Sequence, residues 1–211
     1  MQGKHVVVTG GRGALGTGVV ALLSSKGAIV HVADRPNVSL DNEESAAAFY
    51  ASLPELWASI HLVGGFAMSA ITETSLADFE AQWRINTVTC FLSCREAVKR
   101  MKASGGGRIV NVASRPVLEP AGGANKIAYT SAKAAVASIT QSLAAEVLGD
   151  NILVNAVVPS TIDTPANRAA MPKADFTTWA TPAQIAETVA FLASAENTLT
   201  TGTLVPVYGR S

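Results

Sequence analysis

Residues 6–18 read VVVTGGRGALGTG, a β-branched run that breaks into glycines and passes directly into a segment of helical period. A continuous valine run signals a buried strand, and glycines after it permit the tight turn that a strand-to-helix connection needs. Leu15, Val19, Leu22 and Leu23 then make one apolar stripe, and Gly27 stands where a left-handed cap ends the helix before the next apolar run. The stretch opens a β-α-β unit.

The alternation continues to the far end of the chain. After the first strand-like run at 5–9, others lie at 28–33, 60–63, 108–112, 152–158 and 204–207, with helix-like stretches between them. These runs are apolar throughout, as strands covered on both faces are. The pattern predicts an α/β fold, a doubly wound parallel sheet of six or seven strands forming one domain over residues 1–211. One place breaks the rhythm. After Asp34, only RPNVSLDNEES precedes the helical AAAFYASL, too little for a complete crossover, so the third strand of such a sheet and the helix leading to it are expected to be truncated or missing.

Lys plus Arg and Asp plus Glu number 16 each, giving a formal net charge of zero. Such a chain has no long-range field to draw nucleic acid or anionic lipid, so the expected partner is a small molecule. No apolar stretch reaches the roughly 18 residues of a membrane span, and the first strand begins too early for a leader, so a cytoplasmic protein is expected. Cys90 and Cys94 lie four apart on a helical segment, a spacing of packing residues and not of a disulfide framework. His5, His31 and His61 are far apart in sequence with no ligand spacing around them, and no metal site is expected.

Unpaired backbone N–H groups and the helix dipole make a strand-to-helix turn a phosphate site, and glycine lets the phosphate oxygens approach. A triphosphate loop requires Lys after its last glycine, but Thr17 follows Gly16. A dinucleotide instead requires a carboxylate about 20 residues on, at the end of the second strand, to hold the ribose hydroxyls. Asp34 stands there.

A second constellation follows Ser114: Tyr129 and Lys133 stand at i and i+4, on one helix face. A phenol ionises near pH 10, so it can exchange protons at neutral pH when an ammonium nearby favours its anion. Lys133 can supply that charge, and Ser114 can hold the reacting oxygen. A nicotinamide would then exchange hydride beside them.

With both groups in view, the chain resembles the short-chain dehydrogenase/reductase superfamily from end to end. TGGRGALG is similar to its TGxxxGxG turn, Tyr129 and Lys133 to its YxxxK, Ser114 to its active-site serine, and Asn86 in WRINTVTCF to its conserved helix asparagine. The resemblance implies Tyr129 as acid/base, Lys133 also on the nicotinamide ribose, Ser114 orienting substrate and Asn86 holding a proton-relay water. It implies a cofactor cradle of Gly10, Arg12, Gly13, Ala14, Leu15, Gly16, Asp34, Val63 and Gly64. VPSTIDT further implies Pro159, Thr161 and Ile162 along the nicotinamide, with Thr164 on its carboxamide or on the pyrophosphate. The chain departs from the family at Ala14, at HLVG (61–64), at Ser160, and in a Ser114-to-Tyr129 interval slightly longer than usual.

Three stretches, GGRGALG, GGF and IDTPANRAAMPKADFTTW, resemble dihydropteridine reductases within that superfamily, which makes a quinonoid dihydropteridine a candidate substrate. Asp34 would repel a 2′-phosphate and favours NAD(H), whereas Arg12 and Arg35 leave NADP(H) open. Residues 160–182 are long for a connection and follow a strand's carboxyl end, as lids do, with Met171, Phe176 and Trp179 available to face substrate. Relatives pair through the helices bearing Asn86 and Tyr129, which implies a homo-oligomer, a dimer or tetramer. The alternative to an enzyme is a non-enzymatic NAD(P)-sensing or scaffold protein on the same fold.

Overall fold

The computed structural model describes residues 1–211, and its elements follow the predicted alternation. The strands are β1 (His5–Thr9), β2 (Ile29–Ala33), β3 (Ala58–His61), β4 (Gly107–Val112), β5 (Ile152–Pro159) and β6 (Leu204–Val207). The helices are α1 (Ala14–Ser25), α2 (Glu43–Ala51), α3 (Leu76–Trp83), α4 (Thr89–Ala103), α5 (Ile127–Glu146), α6 (Pro165–Ala170) and α7 (Pro182–Leu192). All strand pairs are parallel, in the order β2-β1-β3-β4-β5-β6.

Burial explains the continuous apolar runs. Val6 and Val8 point into a core shared with α1 and α7, while Val7 points into the opposite core under α2, α4 and α5, and none of the three is exposed to solvent. Truncating a larger side chain of these cores to alanine, such as Leu23, Ile60 or Met101, costs about 2–5 kcal/mol where the site cannot collapse.

The sheet has six strands because nothing pairs outside β2. Residues 36–42 turn back at once, Leu40 seals the core, and Asn42 caps α2 by accepting from Ser45 N. The third predicted strand sits two residues earlier than its apolar run. Its ladder ends at His61, and Leu62 and Val63 turn out of the sheet with their amides directed at Thr9 Oγ1. The order places the reversal between β1 and β3, so the carboxyl ends of β1, β2, β3, β4 and β5 open onto one crevice.

Candidate active site

The glycine turn forms one wall of that crevice. Gly10 has φ +69°, and a Cβ there would lie 2.9 Å from the Leu62 carbonyl carbon. At Gly16 a Cβ would lie 2.0 Å from the Gly10 oxygen, so only glycine lets α1 start this close to β1. Gly13 occupies the N-cap of α1 in extended conformation, and no side chain caps the helix or places an acid in its first turn. The amides of Ala14, Leu15 and Gly16 thus begin the helix as free donors for an anion.

Asp34 stands across from this turn, its Oδ2 accepting from Arg12 N at 2.8 Å. Beside it a cleft of about 190 Å³ runs between Ala33, Val38, Val63 and Ile85. Arg35 donates to Asp41 at 2.8 Å, and Arg84 reaches the same carboxylate at 3.4 Å. The Arg35 hydrogen bond holds Asp41 below the usual carboxylate range. Arg35 is thereby committed to an acid, while the exposed Arg12 side chain enters no ion pair.

Deeper in the crevice the second group assembles from four elements. The long interval after Ser114 folds into two short 3₁₀ turns, Arg115–Val117 and Pro120–Gly123, which bring the chain back so that Tyr129 on α5 faces Ser114. Ser114 Oγ is buried and has no hydrogen-bond partner. Burial raises the Tyr129 phenol above its ordinary value, an effect the Ser114 hydroxyl partly offsets. Lys133, one turn further along α5, is buried and donates from Nζ to the Val112 oxygen at 2.8 Å. Desolvation lowers its ammonium to about 8, partly offset by the Cys90 charge.

Asn86 lies in a π-helical turn, Arg84–Val88, between α3 and α4. Such a turn inserts one residue into a helix and re-aims the side chains around it. Asn86 Nδ2 donates to Gln82 O and Gly65 O, both at 3.0 Å, and its Oδ1 accepts from Gly65 N at 3.2 Å. Phe66, in the same loop, stands edge-on to Tyr129 with ring centroids 5.1 Å apart and remains 61% exposed.

The segment after β5 is folded and cross-tied. Pro159 is buried, Ile162 bridges to Ala180, and Thr164 caps α6 by accepting from Asn167 N at 3.2 Å. Thr161 is half-buried beside them. Of the predicted substrate-facing residues, Met171 is exposed and Phe176 half-buried, but Trp179 is only 8% exposed. Trp179 packs the loop down against Phe176 and is closed off from the crevice.

Three features escaped sequence reasoning. Gln82 holds Asn86 from one turn before it, and an i−4 polar pair was the available signal. Phe66 sat inside the quoted GGF without a role. His61, Cys90 and Cys94 come together in the core under Lys133, a meeting no local spacing reveals because β3 and α4 are distant in sequence.

The family described as enoyl-(acyl carrier protein) reductase matches residues 1–209. A short-chain type dehydrogenase/reductase of Sinorhizobium fredii is 31% identical over 98% of this chain, which spans 43% of that protein's length. Cis-4-hydroxycyclohexanecarboxylate dehydrogenase of Sinomonas cyclohexanicum is 30% identical over 98% of this chain and 95% of its own. A solved short-chain dehydrogenase/reductase from Burkholderia xenovorans superposes with a TM-score of 0.91 at 25% identity, over 99% of this chain and 96% of that one. This chain belongs to the short-chain dehydrogenase/reductase superfamily and is an NAD(P)-dependent oxidoreductase. No helix is long and apolar enough to cross a membrane.

Proposed function

We propose that the protein is an NADH-dependent reductase of a flat conjugated ring, with a quinonoid dihydropteridine as the candidate substrate and Tyr129 as the proton donor. The observation that carries this reading is the meeting of the half-buried Tyr129 phenol, an unpartnered buried Ser114 hydroxyl and the exposed Phe66 ring at one end of the crevice. The residues present fit a dinucleotide: the cradle at Gly16 admits no side chain, α1 begins with uncapped amides, and Asp34 borders a cleft of about 190 Å³.

In this reading the amides of Ala14, Leu15 and Gly16 hold the pyrophosphate and Asp34 holds the ribose diol. Lys133 holds the nicotinamide ribose, and Pro159, Thr161, Ile162 and Thr164 flank the nicotinamide. A bound nicotinamide supplies the hydride. Ser114 Oγ then donates to the substrate oxygen it lacks a partner for, and Tyr129, held protonated by burial, gives its proton to the atom that hydride addition leaves anionic. An acid held in its neutral form suits the reduction direction. Asn86 keeps the Gly65 backbone in place, and with Lys133 it holds a relay water for reprotonation.

NADH is the proposed cofactor because Asp34 meets a 2′-phosphate with like charge and Arg35 is already paired to Asp41. Pairing of two copies through α3, α4 and α5 is also proposed, supported by exposed Leu76, Phe79, Trp83 and Phe91 on those first two helices. Light scattering that finds only monomer ends that part of the proposal.

The test is oxidation of NADH and NADPH against quinonoid dihydropterin beside ketones, aldehydes and quinones, in wild type and Tyr129→Phe. Turnover of the pterin with NADH, lost by more than about 100-fold in the phenylalanine variant, supports the reading. Turnover of ketones alone refutes the substrate, and full activity in Tyr129→Phe refutes the role of the phenol.

A further inference from the structure

In the core near Lys133, three side chains of metal-ligating chemistry meet. We infer that His61, Cys90 and Cys94 form a buried structural site for a thiophilic divalent cation of the zinc type. His61 ends β3, and the cysteines sit on successive turns of α4, four residues apart on one face. All three are at least 95% buried, and their ligand atoms lie within 4.8 Å of one another.

The spacing suits the ion. With zinc–nitrogen near 2.0 Å and zinc–sulfur near 2.3 Å, the edge of a tetrahedron joining N to S is about 3.5 Å. His61 Nδ1 and Cys94 Sγ are 3.6 Å apart. Asn111 Oδ1 offers a fourth donor, 3.6 Å from Cys94 Sγ and 2.7 Å from His61 Nδ1, and needs to withdraw from the imidazole by about half an ångström to complete the tetrahedron.

The surroundings already provide the support that metal ligands need. Ser59 Oγ at 2.8 Å and Tyr50 Oη at 3.4 Å contact His61 Nε2 and can accept its proton's hydrogen bond, which frees Nδ1 to coordinate. Asn111 Nδ2 donates to Thr140 Oγ1 at 2.9 Å, and Thr140 donates on to the Val136 oxygen. Binding displaces the two thiol protons and moves the imidazole proton to Nε2. Two thiolates then cancel the charge of a divalent ion, so the occupied site is neutral, as a site this deep must be. Nitrogen and sulfur donors exclude magnesium and calcium, and four protein ligands leave no position for substrate. The bound ion would fasten the end of β3 to α4, next to the Leu62–Gly65 turn that Asn86 grips.

The experiment uses the full-length wild-type protein, prepared without a histidine tag and loaded with zinc or cobalt(II) before gel filtration. About one equivalent of metal per chain should remain, with cobalt giving thiolate charge-transfer bands and tetrahedral d–d bands. Zinc-edge X-ray absorption on the same sample should show two sulfur neighbours. Cys94→Ser should lose the charge-transfer intensity at an unchanged circular dichroism spectrum. A folded wild type that retains below about a tenth of an equivalent, or whose zinc has only nitrogen and oxygen neighbours, overturns the site, whatever the folding of the variant.

Discussion

Asn86 and Lys133 converge on the backbone of Gly64: a Cβ there would stand 2.8 Å from Asn86 Oδ1 and 3.2 Å from Lys133 Nζ. Both atoms are held from behind, Asn86 through Gly65 and Gln82 and Lys133 through the Val112 oxygen. A methyl group at this point must push one of them away. Gly64→Ala is expected to fold and to lower kcat by at least about tenfold, since small misplacements of positioning groups cost that much or more. Normal turnover in a folded Gly64→Ala protein would show that the spacing between these side chains carries no catalytic weight.

Lys133 predicts a conflict between activity and stability. Its ammonium titrates near 8 in the fold against 10.5 when free. The folded value is the lower one, so below pH 8 the native state carries a buried charge at a cost of about 3 kcal/mol, and stability returns as pH rises from 8 to 10.5. Lys133→Met removes that cost and loses one hydrogen bond worth about 1 kcal/mol. The methionine variant is therefore expected to be inactive yet more resistant to urea at pH 7 by about 1–2 kcal/mol, with the gap closing toward pH 10. The comparison is run with chelator present so that no ion sits beside Cys90. A variant weaker than wild type at pH 7, with a gap that ignores pH, contradicts the assignment.

The proposed preference for NADH turns on Asp34. Its Oδ2 already accepts from Arg12 N, so its carboxylate is fixed at the mouth of the cleft with the Arg12 side chain exposed next to it. Asp34→Ser removes the like charge that a 2′-phosphate would meet and leaves Arg12 to attract it. The NADH-to-NADPH ratio of kcat/KM is expected to fall by about 10- to 100-fold, a change of about 1.4–2.8 kcal/mol. An unchanged ratio means that the discrimination lies elsewhere.

The parts of this molecule that local rules govern were legible in its sequence. The glycine turn, the first helix and its end at Gly27, and Asp34 at the tip of β2 follow from period and turn chemistry, and the structure has them in place. The shortened region after Asp34 was equally readable, because a crossover has a minimum length. What could not be read depends on contacts between distant segments. The end of β3 is set by Thr9 on a neighbouring strand, and the apolar run alone pointed two residues too far. The π-helical turn that aims Asn86 leaves no mark in a 3.6-residue pattern. Trp179 was as apolar as Met171 in the sequence, and only the packing of Phe176 and the 160–182 loop separates buried from exposed. His61 met Cys90 and Cys94 only when the chain folded.

Phe66 gives the last test, because it separates recognition of the substrate from chemistry on it. The ring is 61% exposed, so the fold does not depend on it, yet its edge-on contact holds it beside the Tyr129 phenol. An aromatic pair contributes about 0.5–1.5 kcal/mol beyond the area it buries, which becomes a severalfold to tenfold effect when a flat ligand is one partner. Phe66→Leu keeps the apolar bulk and loses the aromatic face. With a conjugated ring as substrate, KM is expected to rise about five- to tenfold while the KM for NADH stays constant. With a small aliphatic ketone, both constants should be unaffected. Equal effects on ring and aliphatic substrates would mean that Phe66 merely orients Tyr129, and the loss would then move from KM into kcat for both.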